Sequence, residues 1–134
     1  MTEAVPKTKK SQILINYLMK KVLYLSTCNT CKRIISEVNT DEFELQDTKK
    51  NPASLEDIEF LRNHANSYEE LINRRAQLWQ KRDLKNKSLN EEDYKNLLLE
   101  HYSFLKRPIF IDGENVFIGN SKKTTNALKI HLVD

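Results

Sequence analysis

Val22-Leu23-Tyr24-Leu25-Ser26-Thr27-Cys28-Asn29-Thr30-Cys31-Lys32-Arg33-Ile34-Ile35-Ser36-Glu37-Val38 is the stretch on which the fold turns. Its first four residues form a short apolar, β-prone run and predict a buried strand. Ser26 to Cys31 contains several residues that favour helix N-caps, and Ile34, Ile35 and Val38 then recur on one helical face. The unit therefore reads strand, Cys-containing turn, helix. Backbone N–H groups left unpaired at a helix N-terminus stabilise an anion, so Cys28 is placed to have its thiol pKa lowered from about 8.5. Lys32 and Arg33 are expected to add positive charge in the first turn. Cys31, three residues on, is close enough in sequence to close a disulfide with Cys28. Such a CxxC also fits half of a zinc site or a pair of inert buried cysteines. Zinc wants four ligands, however, and there is no second CxxC. His64, His101 and His131 are scattered, so no metal ligand set is expected.

Outward from this turn, Asn39-Thr40-Asp41 ends the helix, and Glu42-Phe43-Glu44-Leu45-Gln46 alternates as a second strand. A strand-helix-strand unit of this size predicts a parallel pair joined by a right-handed crossover. A helical block follows. Ser54 with Asp57, and Ser67 with Glu70, carry the spacing of a capping box. Asn90 precedes Glu91-Glu92-Asp93, acids where a helix dipole favours them, on a helix bearing Tyr94, Leu97, Leu98 and His101. The polar stretch 81–87 reads as a loop, and Trp79 as a core residue. Ile109-Phe110-Ile111, the turn signal Asp112-Gly113 and Asn115-Val116-Phe117-Ile118 predict a hairpin. Ser121 is expected to cap a last helix with Ala127, Leu128 and His131 on its inner face. A parallel pair followed by a hairpin implies one mixed α/β sheet with helices packed on it.

The 134 residues suit one domain, and 39% hydrophobic with 31% charged residues describes a globular chain. No apolar run approaches the roughly 20 residues of a membrane span. Two cysteines are too few for a disulfide scaffold, and two glycines cannot supply a dinucleotide or phosphate-binding glycine loop. Residues 1–18 hold Lys7, Lys9 and Lys10 against Glu3, so the net charge of +3 falls largely there. The rest is nearly neutral, and neither direct nucleic-acid binding nor a membrane partner is expected. Residues 1–18 lack a secretory pattern and read as a flexible extension, with the domain proper over 19–134. Few cysteines and no signal peptide point to the cytoplasm.

Two further groups draw attention. Lys106-Arg107-Pro108 directly precedes the hairpin, where an arginine can hold an oxyanion or thiolate and a proline can be cis. A solvated arginine beside an ordinary strand-start proline fits equally. Asn73-Arg74-Arg75 lies between helical segments, where paired arginines are often plain surface charge.

Taken together, "LYLSTCNTCKRI", "LINRRAQLWQK" and "LKRPIFIDGENVFIGNSKK" resemble the arsenate reductase (ArsC) family, both its glutathione-coupled enzymes and its Spx-type regulators. The resemblance runs from Lys21 to the C-terminus. It implies a thioredoxin-like four-stranded sheet with an all-helical insertion, about 50–106, between strands 2 and 3. It implies Cys28 as nucleophile, Arg75 facing the anion (Arg74 if the register slips by one), and Arg107 before a cis-Pro108 that presents backbone to a thiol partner. The enzymes form a thiol-arsenate adduct that glutathione attacks. No bound cofactor is implied, and glutathione, thioredoxin or glutaredoxin would supply electrons. The substrate would be a small oxyanion or a thiol/disulfide. Two features depart from the enzymes. Cys31 is a second cysteine in the turn, and Val116-Phe117-Ile118-Gly119-Asn120 stands where they carry another arginine. The Spx-type regulators use CxxC as a disulfide switch and bind an RNA polymerase subunit, which makes redox-controlled binding of that or another protein the alternative function.

Overall fold

In the computed structural model, which describes residues 19–133, β1 (Lys20–Tyr24) leads through the cysteine turn into α1 (Asn29–Ser36) and on to β2 (Glu44–Asp47). Then come α2 (Leu55–Ala65), α3 (Gln77–Lys81) and α4 (Glu91–Glu100), with single 3-10 turns at Glu69–Leu71, Leu84–Asn86 and Tyr102–Phe104. The chain closes with β3 (Ile109–Asp112), β4 (Asn115–Ile118) and α5 (Lys122–His131). The strand order is β2-β1-β3-β4. β1 runs parallel to β2 and antiparallel to β3, which pairs antiparallel with β4. This is the mixed thioredoxin-like sheet with a helical insertion between its second and third strands. The extension expected over 1–18 lies outside the described residues.

Alternation along the strands divides the core in two. Val22 and Phe110 point to one face, where Ile34 of α1 and Leu128 of α5 cover them. Leu23, Ile109 and Ile111 point to the other and pack with the insertion, among them Ile58, Leu61, Leu71, Trp79, Leu98 and Phe104. The insertion thus shares a core with the sheet. Two of its helices, α2 and α4, begin where short polar side chains satisfy free N–H groups, whereas α3 follows Ala76 without a side-chain cap. Ser54 with Asp57, and Asn90 with Asp93, both form complete capping boxes. Gly113, at φ +61°, allows the tight turn between β3 and β4.

Several boundaries differ from the sequence reading. β2 starts at Glu44 rather than Glu42, because a turn closed by Phe43 N–H on the Thr40 carbonyl (2.9 Å) occupies the preceding residues. Ser67 does accept from the Glu70 amide (3.2 Å), but only a 3-10 turn follows it. The 81–87 stretch is no free loop: it contains the end of α3 and a 3-10 turn that buries Leu84. On α5, Leu128 is the buried residue, while Ala127 is exposed and His131 pairs with Asp112.

Candidate active site

β1 delivers the chain to the start of α1, and Cys28 itself is the N-cap. Its amide donates to the Leu25 carbonyl (2.9 Å), and its carbonyl accepts the first helical bond from Lys32 (3.2 Å). Its Sγ accepts from the Cys31 amide at 3.4 Å, the position an Asp or Ser oxygen takes in an ordinary cap. Ser26 N–H donates to Asp47 Oδ1 (3.4 Å), which fastens the turn to the end of β2. Cys28 is half-buried, and Cys31 is wholly buried; both are free thiols.

The two thiols have opposite acidities. Partial burial pushes Cys28 up, but the Cys31 amide and side chain and the Arg107 guanidinium together hold it below an ordinary thiol. Burial, aided by the neighbouring Cys28, pushes Cys31 up to about 12. The expected help from Lys32 and Arg33 is absent. Arg33 pairs with Glu37 one turn along (3.3 Å), and Lys32 is exposed. The cation that acts on Cys28 is Arg107, from the far end of the chain.

Cys28 opens into a cleft of about 830 Å³ whose walls include Asn73, Arg75, Lys106, Arg107 and Asn120. Three separate segments meet here: the cysteine turn, the loop after the first 3-10 turn, and the approach to β3. Arg75 is exposed and, among the described residues, has no carboxylate partner. Arg74 also borders the cleft, but Glu69 holds it in an ion pair and it lies over the Trp79 ring (5.6 Å). Arg107 donates from Nη1 to the Ser103 carbonyl (3.4 Å), and its buried Nε has no hydrogen-bond partner. The Arg107–Pro108 peptide is cis, and Pro108 is buried beside the cleft. Asn120 Nδ2 donates to the Arg107 carbonyl (3.2 Å). The cysteine and both arginines therefore line one cleft, with the buried Pro108 next in the chain to Arg107, while Arg74 is diverted to Glu69.

In the sequence Asn73 and Lys106 stand out only as neighbours of the arginines and Asn120 only in the segment that lacks one, with no role for any of the three. Asn73 could have been singled out as a turn-forming residue beside the arginine pair; the other two carry no local signal. The histidines serve elsewhere: His64 pairs with Glu114, His131 with Asp112, and His101 with Ser103. Among the described residues no three or more His, Cys, Asp or Glu side chains gather to hold a metal ion, and no helix is long and apolar enough to cross a membrane.

The ArsC family model matches residues 23–128. The global transcriptional regulator Spx of Bacillus subtilis is 29% identical over 103 residues, which is 72% of this chain and 77% of that protein. A solved structure from Streptococcus mutans UA159, a possible arsenate reductase, matches with TM-score 0.66 and 23% identity over 83% of this chain and 98% of its own. Arsenate reductase from Vibrio cholerae matches with TM-score 0.64 and 11% identity over 86% and 99%. At these identities the two structures are alike in fold.

Proposed function

The chain belongs to the ArsC family, and on that premise we propose that it is a thiol-disulfide oxidoreductase of the arsenate reductase type, acting through Cys28. One observation carries this reading: the Cys28 sulfur caps α1, with its anion favoured, in a cleft that Arg75 and Arg107 also line. A thiolate held by amide N–H groups and flanked by guanidinium groups suits attack on an oxidised, anionic partner.

With a disulfide substrate, the Cys28 thiolate attacks one sulfur, forms a mixed disulfide and expels the other half as a thiolate. Cys31 then attacks Cys28, displaces the bound half and closes the Cys28–Cys31 disulfide. The charge on Cys28 is one cause of Cys31's raised pKa. That charge disappears in the mixed disulfide, so Cys31 becomes more acidic at the step where it must act. Two glutathione thiols, or a thioredoxin or glutaredoxin dithiol, return the pair to the reduced state. Arg75 and Arg107 hold the anionic part of the substrate, and Pro108 shapes the wall along which a thiol partner lies. With arsenate, the same thiolate displaces a hydroxyl, which leaves as water, to form a sulfur–arsenic adduct held by the arginines. A glutathione thiolate then attacks the Cys28 sulfur, releasing arsenite and leaving a Cys28–glutathione disulfide that a second glutathione reduces. The reducing cytoplasm suits this cycle.

The second reading is a redox-sensing regulator, favoured by the 29% identity to a global transcriptional regulator. Here the Cys28–Cys31 disulfide changes binding to an RNA polymerase subunit or another protein. Turnover of Cys28→Ser and Cys31→Ser variants, with arsenate and with a model disulfide and glutathione as reductant, separates the two. The enzyme reading expects Cys28→Ser to be inactive and Cys31→Ser to be impaired in disulfide turnover. An unsubstituted chain that turns over neither substrate, yet captures a partner only when oxidised, establishes the regulator instead.

A further inference from the structure

We propose that Asn73 is a positioning residue that locks the two arginines of the cleft into one anion-holding unit; this rests on the proposed roles of Cys28, Arg75 and Arg107. Arg75 comes from the insertion and Arg107 from the approach to β3, thirty-odd positions away in sequence. Backbone contacts bring the segments together: Asn73 N–H donates to the Phe104 carbonyl (2.7 Å), Lys106 N–H to the Leu71 carbonyl (2.9 Å), and Ile72 bridges Leu105. The Asn73 side chain touches both. Its Oδ1 accepts from the Arg75 amide (3.1 Å), which bends the chain so that Arg75 stands at the cleft. Its Nδ2 donates to the Ser103 carbonyl (3.4 Å).

That carbonyl is also the anchor of Arg107 Nη1 (3.4 Å). One oxygen therefore receives Asn73 and Arg107 together. A guanidinium is planar, so an anchored Nη1 restricts where its remaining N–H groups can point. The buried Arg107 Nε, without a partner in the fold, is a donor left available to a bound anion or to the Cys28 thiolate. Asn73 fixes the carbonyl that holds one arginine and the backbone turn that presents the other. Removing its amide leaves both arginines in the chain but loosens their shared geometry.

The test measures alkylation of Cys28 in the reduced full-length chain by iodoacetate, which is anionic, and iodoacetamide, its neutral counterpart. The ratio of the two rates reads the cationic field of the cleft, and the pH midpoint reads the thiol. Asn73→Ala and Asn73→Ser are compared in the unsubstituted and Arg107→Gln backgrounds, with Trp79 emission and circular dichroism checking the fold. A serine can keep the bond to the Arg75 amide but is too short to reach Ser103. Both variants are expected to lower the iodoacetate preference, Asn73→Ala about threefold and Asn73→Ser less, and to raise the Cys28 midpoint; once Arg107 is gone, Asn73→Ser should change little and Asn73→Ala should keep only the smaller part that comes through Arg75. An unchanged ratio and midpoint in both variants, or a change by Asn73→Ser that is as large in the Arg107→Gln background, overturns the proposal. A Cys28 that already titrates like a free thiol in the unsubstituted chain overturns the oxidoreductase reading and this one with it.

Discussion

Cys28 keeps part of its surface in the cleft, where the Cys31 amide and Arg107 favour its anion, while Cys31 is closed off behind it and held as a thiol. Each shift links stability to pH with its own sign. The lowered Cys28 value contributes stability that is present above the unfolded thiol value and lost as pH falls through the folded one. The raised Cys31 value works the other way: its contribution is complete below the unfolded value, about 8.5, and lost as pH rises towards about 12. Urea unfolding under reductant should therefore show the unsubstituted chain losing its advantage over Cys31→Ala as pH climbs above about 9. An advantage that stays constant across that window contradicts the buried thiol described here. The site was legible in sequence to the extent that chemistry is local. Cys28 and Cys31 announce themselves by spacing, but Arg74 and Arg75 are indistinguishable as neighbours in a string. The position of Glu69 and the Trp79 ring, which take Arg74, separates them. Asn73 was harder still, since its meaning lies in a carbonyl thirty residues downstream.

At the scale of elements, the helices of the insertion depend on their first turns. α2 and α4 each start with a reciprocal pair, Ser54 with Asp57 and Asn90 with Asp93, at distances of 2.9–3.1 Å. Ser54→Ala and Asn90→Ala should each cost about 1 kcal/mol, read as a lower urea midpoint at unchanged slope. A neutral result at either position means the cap is redundant with packing. The Ser54 cap is readable because its donors and acceptors lie three residues apart; at Asn90 the sequence shows acids suited to the helix dipole, and the reciprocal bond to Asp93 is the structure's addition. The stretch 81–87 was misread for the opposite reason. Its residues are polar except Leu84, and one apolar residue carries no periodicity, yet a 3-10 turn buries it. β2 was misplaced by two residues because Phe43 alternates like a strand residue while its backbone is spent on a turn. The β1–α1 unit and the β3–β4 hairpin, whose signals are short-range and mutually consistent, have the expected type and order, although β1 runs over Lys20–Tyr24 rather than from Val22 to Leu25 and α1 ends at Ser36, before Val38.

For the whole molecule, the decisive fact is that the insertion and the sheet bury one another. Phe104, with no exposed surface, packs in the cluster that joins Leu23, Ile109 and Ile111 to the insertion helices. Phe104→Ala should cost about 3–5 kcal/mol. Trp79 emission, a probe inside the insertion, and far-ultraviolet circular dichroism should fall in one coincident transition. Two separated transitions would mean that the insertion unfolds by itself. The cleft is divided along the same seam, with Cys28 before the insertion, Arg75 inside it and Arg107 after it. A chimera of two relatives spliced at Pro52, between β2 and α2, would take its attacking sulfur from one parent and both guanidinium groups from the other. With Arg75 and Arg107 holding the anion as proposed, exchange of chain segments at that joint would trade binding preference from one lineage to another while Cys28 stays with its original helix.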